Sequence, residues 1–384
     1  MNFFNNTRKA AFLSRPNRFT VVCDLDGKAV KAFLPNPGRL WELLLPGVVI
    51  YLEEASRARD RARKDRKLLF TAVAVEREGS PVMLHTHTNN DVARHLLESS
   101  LVPGLEGAEV VRSEVTVGRS RFDFLLKKGG GTIYLEVKSC TLFHKKIAMF
   151  PDAVTERGRR HLEELAHLSE RGERSVVLFL IHCPAVEIFM PEYHTDLAFA
   201  ESLCRVRKSV KVIPLAVGWS EDLSLMKTVR GVAVPWKTVE REARDRGCYL
   251  FILKLTREVD VEVGRLGTIR FAKGYYTYVG SAKRSLSKRV DRHRRLRKRL
   301  YWHIDYLRNV ADFHTSLPVR TADDLECELA GAVRAVADGE VAGFGASDCS
   351  CPSHLFRTAG DPMLSPSFHA LIHHFRMERP LQSR

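Results

Sequence analysis

The stretch SRFDFLLKKGGGTIYLEVKSCT, residues 120–141, decides the fold of the central part of the chain. Two apolar runs flank the turn sequence KKGGG, which predicts a β-hairpin. Because side chains alternate across a strand, Glu136 and Lys138 lie on one face of the second strand and Val137 on the other. If the hairpin forms, Asp123 on the first strand meets them. The pattern therefore predicts two carboxylates and a lysine on one sheet surface.

This combination suits a Mg²⁺-dependent phosphodiesterase. Asp123 and Glu136 would hold a hard cation, Mg²⁺ or Mn²⁺, and Lys138 would orient the attacking water or the scissile phosphate. The same residues also fit an ion pair on a solvated hairpin face, and their spacing alone does not choose between the two interpretations.

Length and charge limit the class of protein. The chain has 384 residues, enough for two or three domains, and 61 Lys and Arg against 46 Asp and Glu give a formal net charge of +15. This excess points first to DNA or RNA as partner, and only second to an anionic membrane surface. With no apolar run of the roughly 18 residues that span a bilayer and no signal peptide, we expect a soluble, cytoplasmic protein without a membrane partner. The eight scattered cysteines fit reduced thiols.

Residues 1–85 predict a compact β-barrel of the OB kind, because short apolar runs alternate with Gly, Pro and charged turns. A basic run at 57–67 indicates contact with phosphates, and a solvated loop is the alternative. The nucleic-acid contacts predicted in this part are Arg15, Arg18, Arg39, Arg66 and Lys67.

Residues 86–236 predict a mixed sheet flanked by helices. A helical pattern from Asn90 precedes a strand at 110–117 and the hairpin, and Thr155 is the predicted N-cap of a helix that ends at Gly172. The apolar run at 175–181 is typical of a strand buried on both faces. This order, with Asp on the second strand and Glu-x-Lys on the third, is similar to the core of PD-(D/E)XK nucleases.

Five motifs carry a closer resemblance. They are RPNRF (15–19), PNPGRLWELLLPG (35–47), SRFDF (120–124), EVKSCTL (136–142) and FPDAVTERGRRHLEEL (150–165). In this order they resemble the sugar fermentation stimulation protein A family, SfsA. The resemblance implies an OB-like barrel, a nuclease-like second domain and DNA binding of low sequence preference.

The same resemblance implies roles for single residues. Asp123, Glu136 and Lys138 would form the nuclease-type triad, with Glu114 on the preceding strand as an accessory acid. The residues of the fifth motif that would line the cleft are Asp152, Thr155, Glu156, Arg157 and His161. A Thr N-cap followed by an acidic residue, and a histidine on a helix surface, also occur without any function.

A charged linker is predicted at 237–246 and a third domain at 247–384. Tyr249 in a strand and Tyr278 in GYYTYVGSA, followed by Arg289 and His293, resemble the GIY-YIG nuclease family over about residues 247–357. The resemblance implies that a tyrosine hydroxyl passes a proton or positions water and that Arg289 stabilises the phosphorane. Glu326, or alternatively Glu328, would bind one Mg²⁺.

This domain departs from the commoner motif. Cys248 replaces the motif isoleucine, the two tyrosine motifs are far apart, and Tyr275 and Tyr276 precede Tyr278 closely. The departures favour a binding domain that no longer turns over.

The run KRSLSKRVDRHRRLRKR, residues 283–299, has ten Lys or Arg and one acid, so as a helix it would be basic almost all round. It indicates phosphate contact, and the contacts predicted outside the barrel are Arg157, Lys288, Arg292 and Arg295.

Cys349, Cys351 and His354 form a C-x-C-x-x-H cluster that Cys327 could complete as a zinc site. The spacing is not that of a standard finger, so free thiols in a structural loop are the preferred interpretation. The histidines at 369, 373 and 374 predict a surface helix.

The fold class predicted is therefore an α+β multidomain protein: an OB-like barrel, a PD-(D/E)XK nuclease-like domain and a GIY-YIG-like domain. The leading functional hypothesis is Mg²⁺-dependent hydrolysis of DNA or RNA at two candidate sites. The competing hypothesis is a non-catalytic, sequence-nonspecific DNA-binding or regulatory protein.

Overall fold

The computed structural model describes residues 1–54 and 68–382, so the basic run at 57–67, with Arg66 and Lys67, lies outside the described residues. The chain divides into two compact units. The first consists of Met1–Glu192 and Ala198–Trp236, and the second of Tyr193–Leu197 and Lys237–Arg384.

A β-barrel opens the first unit, as the alternating apolar runs predict. Its sheet has the order β3-β2-β1-β4-β5-β6, and a parallel pairing of β3 with β5 closes strands β1 to β5. On the second strand Val21, Cys23 and Leu25 are buried and the residues between them are partly exposed. The strands are β1 (Thr7–Asn17), β2 (Thr20–Leu25), β3 (Lys28–Phe33), β4 (Val49–Glu54), β5 (Phe70–Arg77) and β6 (Ser80–Met83).

A mixed sheet with flanking helices completes the first unit. Its strands are β7 (Glu109–Val117), β8 (Ser120–Lys128), β9 (Gly131–Cys140), β10 (Leu142–His144), β11 (Ile147–Phe150), β12 (Arg174–Ile181), β13 (Ile188–Pro191), β14 (Val210–Trp219) and β15 (Leu225–Gly231). Its helices are α1 (Asn89–Glu98), α2 (Glu156–Glu170) and α3 (Leu197–Val206). The main sheet has the order β15-β14-β12-β9-β8-β7, and β10, β11 and β13 form a small sheet of their own.

The strand β12 lies at the centre of this sheet and explains its continuous apolar run. It pairs in parallel with both β9 and β14, and all its residues after Arg174 are buried. One face, with Val177, Phe179 and Ile181, belongs to one hydrophobic core, and the opposite face belongs to a second core. A strand buried on both faces has no polar side to alternate with its apolar side.

The hairpin predicted from residues 120–141 is formed by β8 and β9, which pair antiparallel from Lys128 opposite Gly131 back to Phe124 opposite Leu135. Gly129 and Gly130 make the turn with φ of 57° and 76°, a conformation that glycine adopts without steric cost. The Thr155 hydroxyl caps α2 by accepting the Gly158 N–H at 3.0 Å, as predicted.

The second unit is built on a five-stranded sheet with the order β20-β16-β19-β22-β21. The strands of this sheet are β16 (Gly247–Leu255), β19 (Gly274–Ala282), β20 (Asp312–Arg320), β21 (Gly339–Glu340) and β22 (Leu355–Thr358). The strands β17 (Val259–Glu262) and β18 (Thr268–Phe271) form a separate two-stranded sheet. The remaining helices are α4 (Trp236–Glu242), α5 (Leu286–Arg294), α6 (His303–Arg308), α7 (Glu326–Ala335), α8 (Pro366–His373) and α9 (Arg379–Gln382). The strands β16 and β19 carry the two tyrosine motifs and pair with each other over their full length.

Three expectations differ from the structure. The first part of the predicted linker belongs to helix α4, in which Val239 and Glu242 are buried. Glu242 accepts the Ala322 N–H at 3.0 Å, so this segment packs against the second unit's own residues. The basic run at 283–299 is helical only as far as Arg294. The C-terminal histidines do lie on a helical segment, but His369 and His373 are buried rather than at its surface. In the part of the chain that the structure describes, no helix is long and apolar enough to cross a membrane.

Candidate functional site

Asp123 and Glu136 meet across the β8–β9 hairpin, as the sequence predicts. The Asp123 carboxylate accepts the backbone N–H of Val137 at 2.7 Å through Oδ2, and the Asn90 side-chain amide at 2.9 Å through Oδ1. Asn90 stands in the first turn of α1, so this helix also helps to hold Asp123. Both donors fix the position of the carboxylate, which lines the same cleft as Glu136.

Glu136 is buried, with 4% of its surface exposed, yet only one of its oxygens has a partner. Its Oε1 accepts Lys138 Nζ at 2.5 Å and lies 2.6 Å from His161 Nδ1. Its Oε2 is buried without a hydrogen-bond partner among the described residues. A buried carboxylate oxygen without a donor is costly, so this oxygen is free to accept a donor or a cation.

His161, for which a position on the helix surface was the alternative to one in the cleft, is buried on α2, 1% exposed. Because a carboxylate only accepts, the Nδ1 atom facing Glu136 carries the proton, and Nε2 accepts from Arg157 Nε at 3.4 Å. Arg157 itself is exposed at the edge of the cleft. The contact between His161 and Glu136 joins α2 to the carboxylate pair, and the helical spacing of the sequence did not reveal it.

The two carboxylates have pKa values shifted in opposite directions. Burial, and then the charge of Glu136, raises the pKa of Asp123 above its ordinary value. Burial also opposes ionisation of Glu136, but the Lys138 ammonium and the hydrogen bond from His161 outweigh it and lower its pKa. A cation between the two groups would relieve the repulsion that raises the pKa of Asp123.

These residues line a cleft of about 560 Å³, whose other wall comes from the barrel. Asp152 forms that junction, because its Oδ2 accepts the Leu40 N–H at 3.0 Å. A Cβ on Gly38 would lie 2.6 Å from the same oxygen, so only glycine fits there. Asp152 therefore holds a barrel loop at the cleft, while Glu156 is exposed on α2.

Glu114 also lines the cleft, as the resemblance implies. It lies between Ser113 and Val115, which pair with Phe124 and Phe122, and so stands opposite Asp123. Its φ is +55°, a strained conformation for a residue with a side chain. The exposed carboxylate lies 3.5 Å from Arg121 Nη1, at the rim rather than in the buried pair.

The predicted basic residues of the barrel divide into two kinds. Arg15 is used internally, since it donates to the backbone carbonyls of Arg39, Arg18 and Asn36 at 2.5, 2.8 and 3.2 Å. Arg18 is exposed, lines the cleft and donates to the Pro37 carbonyl at 2.9 Å. Arg39 lies over the Trp41 ring at 4.7 Å. Of these three, Arg18 is the one placed to reach a ligand in the cleft.

The second candidate site lies in the second unit, where β16 and β19 bring the predicted tyrosines together. The rings of Tyr249 and Tyr278 are 6.3 Å apart, and both are buried. A Cβ on Gly280 would lie 2.5 Å from the Tyr249 hydroxyl and 2.9 Å from Tyr278 Cε1, so the glycine makes room for both rings. Burial raises the pKa of Tyr249 well above its ordinary value, and Arg289 offsets this only in part.

His293 connects this pair to a residue that the sequence did not indicate. Its Nε2 lies 3.0 Å from the Tyr249 hydroxyl and its Nδ1 lies 3.2 Å from Asp305 Oδ1. Asp305 is fully buried and also accepts from Arg292 at 2.9 and 3.1 Å and from Lys298 at 2.9 Å. Arg292, predicted to bind nucleic acid, is therefore engaged inside the unit, whereas Lys288 and Arg295 are exposed.

Glu326, the first candidate for the second metal, begins α7. Its Oε2 accepts the Ser281 hydroxyl of β19, and its Oε1 lies 3.3 Å from His354 Nδ1. Glu328 lies apart from the tyrosines and pairs with Arg379 at 2.8 Å. Arg289 and His293 share a face of α5, and the Arg289 guanidinium lies over the Trp302 ring at 4.5 Å.

The first unit is thus an OB barrel joined to a mixed α/β domain that bears a buried carboxylate pair. Family models agree: the SfsA N-terminal OB domain matches residues 13–84, and the sugar fermentation stimulation protein RE domain matches residues 87–222. The chain belongs to the sugar fermentation stimulation protein family, SfsA. Residues 248–377 match a domain of unknown function, DUF123.

Curated relatives match the first part of the chain. The sugar fermentation stimulation protein homolog of Methanothermobacter thermautotrophicus is 39% identical over 234 residues, which are 60% of this chain and 95% of the relative. The homolog of Moorella thermoacetica is 41% identical over 199 residues, covering 52% and 84%. The solved structure of Pyrococcus furiosus SfsA in complex with Ca²⁺ is similar with a TM-score of 0.55 and 28% identity, covering 61% of this chain and 97% of that one.

Proposed function

We propose that the protein is a divalent-cation-dependent nuclease whose main site is the carboxylate pair of the first unit, in a domain of the PD-(D/E)XK type. The observation that carries the proposal is the buried Oε2 of Glu136, which has no donor among the described residues although Asp123 lies beside it. A hard cation bound by both carboxylates would satisfy this oxygen.

The chemistry of the donor set fits Mg²⁺ or Mn²⁺, because Asp123 and Glu136 offer oxygen ligands only. When bound, such a cation polarises a phosphoryl oxygen and lowers the pKa of a bound water. The related Pyrococcus furiosus protein was solved with Ca²⁺, another oxygen-seeking divalent cation, which supports this choice.

The chain's own residues would do the remaining work. His161 Nδ1–H and Lys138 Nζ hold Glu136 ionised and fix its orientation. Lys138 is largely buried, so its charge acts in a partly desolvated cleft, where it could stabilise a phosphate better than in water. Asn90 and the Val137 N–H keep Asp123 directed at the same point.

DNA is the proposed substrate. RNA is the alternative substrate, and the cleavage test distinguishes the two. The net charge of +15 favours a polyanion, and Arg18, Arg121 and Arg157 stand at the edge of the cleft. A barrel wall next to a nuclease-type site gives a single strand a groove to follow.

A second phosphodiester-cleaving centre, of the GIY-YIG type, is proposed for the second unit. The supporting observation is that Tyr249 and Tyr278 lie beside Gly280 and that His293 contacts both tyrosines. Glu326 is tied to the Tyr278 strand through Ser281. Burial raises the pKa of Tyr278, so its hydroxyl stays protonated and can donate to a phosphate.

Cleavage of labelled single-stranded DNA, duplex DNA and RNA with Mg²⁺ or Mn²⁺ tests both centres. Wild type is compared with Glu136→Ala and with the double variant Tyr278→Phe/Arg289→Ala. Products that vanish only in Glu136→Ala assign the activity to the first unit, and the reverse pattern assigns it to the second. If no protein cuts and all three shift the probe equally, the protein is a DNA-binding module without turnover.

A further inference from the structure

Three cysteines and a histidine of the second unit converge at one point. The Sγ atoms of Cys327, Cys349 and Cys351 and a ring nitrogen of His354 all lie within 4.8 Å of one another. A tetrahedral zinc ion with ordinary Zn–S and Zn–N bonds needs neighbouring ligand atoms about 3.6 Å apart. The Cys349 Sγ and His354 Nε2 atoms are already 3.4 Å apart, so small adjustments of three side chains complete the set.

The backbone around this cluster is held in place from several sides. The His354 N–H donates to the Phe344 carbonyl at 2.8 Å, and its carbonyl accepts the Val279 N–H of β19 at 2.9 Å. Cys327 is placed separately, by the first turn of α7. The ligands thus come from two elements distant in sequence, which is how a metal ties a loop to a helix.

His354 also has the second partner that a metal-bound histidine usually has. Its Nε2 faces the cysteines, and its Nδ1 lies 3.3 Å from the Glu326 carboxylate. A carboxylate on the far ring nitrogen selects the tautomer with a free Nε2 lone pair and orients the ring towards the metal. Free thiols in a structural loop would not require this arrangement.

The centre of the loop has neither regular secondary structure nor an apolar core of its own. Between Phe344 and His354 the sequence GASDCSCPS has no large apolar side chain, and residues 347–352 form no helix or strand. Phe344 is fully buried and supplies the apolar contact at the loop's start. A segment of this kind commonly depends on a metal or a disulfide, and Cys327, Cys349 and Cys351 form no disulfide.

We propose that Cys327, Cys349, Cys351 and His354 bind one structural Zn²⁺ ion with three thiolates and one imidazole, and that Glu326 positions His354 for it. The site is closed by four protein ligands, so it leaves no open position for catalysis. Its role is to fasten the loop before β22 to the start of α7.

The test measures metal in the full-length protein, purified without a metal-affinity tag, by mass spectrometry of the elements. Wild type should contain about one zinc per chain, Cys351→Ser should lose it, and Cys183→Ser, a partly exposed cysteine of the first unit, should keep it. Co²⁺ in place of zinc should show the thiolate charge-transfer and tetrahedral ligand-field bands in wild type and Cys183→Ser only.

A second test strips the metal from the wild-type protein and titrates zinc against a chromophoric chelator. Its main result therefore does not depend on whether a variant folds. Glu326→Gln should still bind zinc, but about 10-fold or more weakly, because it loses the carboxylate behind His354. Wild type that takes up no zinc overturns the proposal, as does equal zinc in Cys351→Ser and Cys183→Ser. Iron with inorganic sulfide in place of zinc would overturn it as well.

Discussion

Glu136 in the first unit and Asp305 in the second are both buried carboxylates that contact a histidine and a lysine. They differ in how far their oxygens are satisfied. Glu136 has Lys138 and His161 on Oε1 and no donor on Oε2 among the described residues. Asp305 uses both oxygens, with Arg292, Lys298, His293 and the backbone N–H groups of residues 301 and 302 around it.

Under the proposed function, this difference separates a cation-binding carboxylate from a structural one. A saturated carboxylate has no lone pair to offer and lowers the energy of the folded state through its donors. A buried oxygen without a donor costs stability until a ligand satisfies it. Asp305 shows the effect of saturation. Its pKa is held far below the ordinary value, because the His293, Lys298 and Arg292 donors outweigh the effect of burial.

The largest expected effect follows from removing the charge of Glu136. Glu136→Gln should lower metal-dependent cleavage at least about 1,000-fold, since a lost cation ligand removes several kcal/mol of transition-state stabilisation. Ca²⁺ should raise the melting temperature of the wild type and leave that of Glu136→Gln unchanged. The measurements are single-turnover cleavage and a thermal melt with and without Ca²⁺.

Glu170→Gln is the matched control for this prediction. Glu170 is exposed at the last turn of α2, the same helix that carries His161. Its activity and its response to Ca²⁺ should equal those of the wild type. An active Glu136→Gln protein would show that the Glu136 carboxylate is not a cation ligand.

Asp305→Ala should have the next largest effect, and on stability. It leaves the buried Lys298 and the Arg292 guanidinium without their carboxylate, which should lower the free energy of unfolding of the second unit by about 3 kcal/mol. Hydrogen exchange of the β16 amides reports on this unit directly. Asp291→Ala removes an exposed pair with Arg294 and should change the same amides by less than about 0.5 kcal/mol.

A third prediction concerns the buried histidine His182, whose hydrogen-bond partners are uncharged side chains. His182 accepts the Trp219 indole N–H at 3.2 Å, and burial lowers its pKa to about 3. The unfolded chain binds a proton near pH 6.5 and the folded chain does not, so stability is lost as pH falls from about 6.5 towards 3.

His182→Gln removes this titration but keeps an acceptor for Trp219. Between pH 6 and pH 4 the free energy of unfolding of the first unit should fall more steeply in wild type than in the variant, by about 1.4 kcal/mol per pH unit. Urea titrations at several pH values, followed by tryptophan fluorescence, measure both slopes. Parallel slopes would mean that His182 is already protonated in the folded protein.

The smallest expected effect concerns two arginines of the barrel. Arg18 is the proposed ligand-binding group, and Arg15 is the group used inside the fold. Arg18→Ala should weaken DNA binding uniformly across sequences and reduce the slope of log K against log salt by about one, as the loss of one phosphate contact does. Arg15→Ala should instead lower thermal stability, because three carbonyls lose their donor. Fluorescence anisotropy at several salt concentrations checks the binding, and a swap of the two outcomes would reverse the assignment.

Local patterns predicted the parts of the fold that depend on neighbours in sequence. The alternation in residues 120–141 and its glycine turn predicted the hairpin, and with it the meeting of Asp123 and Glu136. The same rule found the β16 and β19 strands with their tyrosines. In each case the two partners are connected by a turn or a ladder whose register the side-chain period determines.

Contacts made by tertiary packing could not be predicted in this way. Asp305 lies on a short helix and reaches His293 only because α5 and α6 pack together. His161 has the spacing of a residue beside the apolar stripe, and only the position of α2 shows that it faces Glu136. Arg15 looks like Arg18 in sequence, but two of the three carbonyls that it donates to belong to Asn36 and Arg39, more than 20 residues away.

Gly280 limits the order in which this second unit can change over evolution. Any side chain there would overlap the Tyr249 hydroxyl and the Tyr278 ring, whereas Gly331 on α7 has open space around it. A lineage could therefore replace Gly280 only after Tyr249 had become a smaller residue, and could restore the tyrosine only after the glycine had returned. Three positions that share one small volume must drift as a set, so loss of this tyrosine pair would be hard to reverse one substitution at a time.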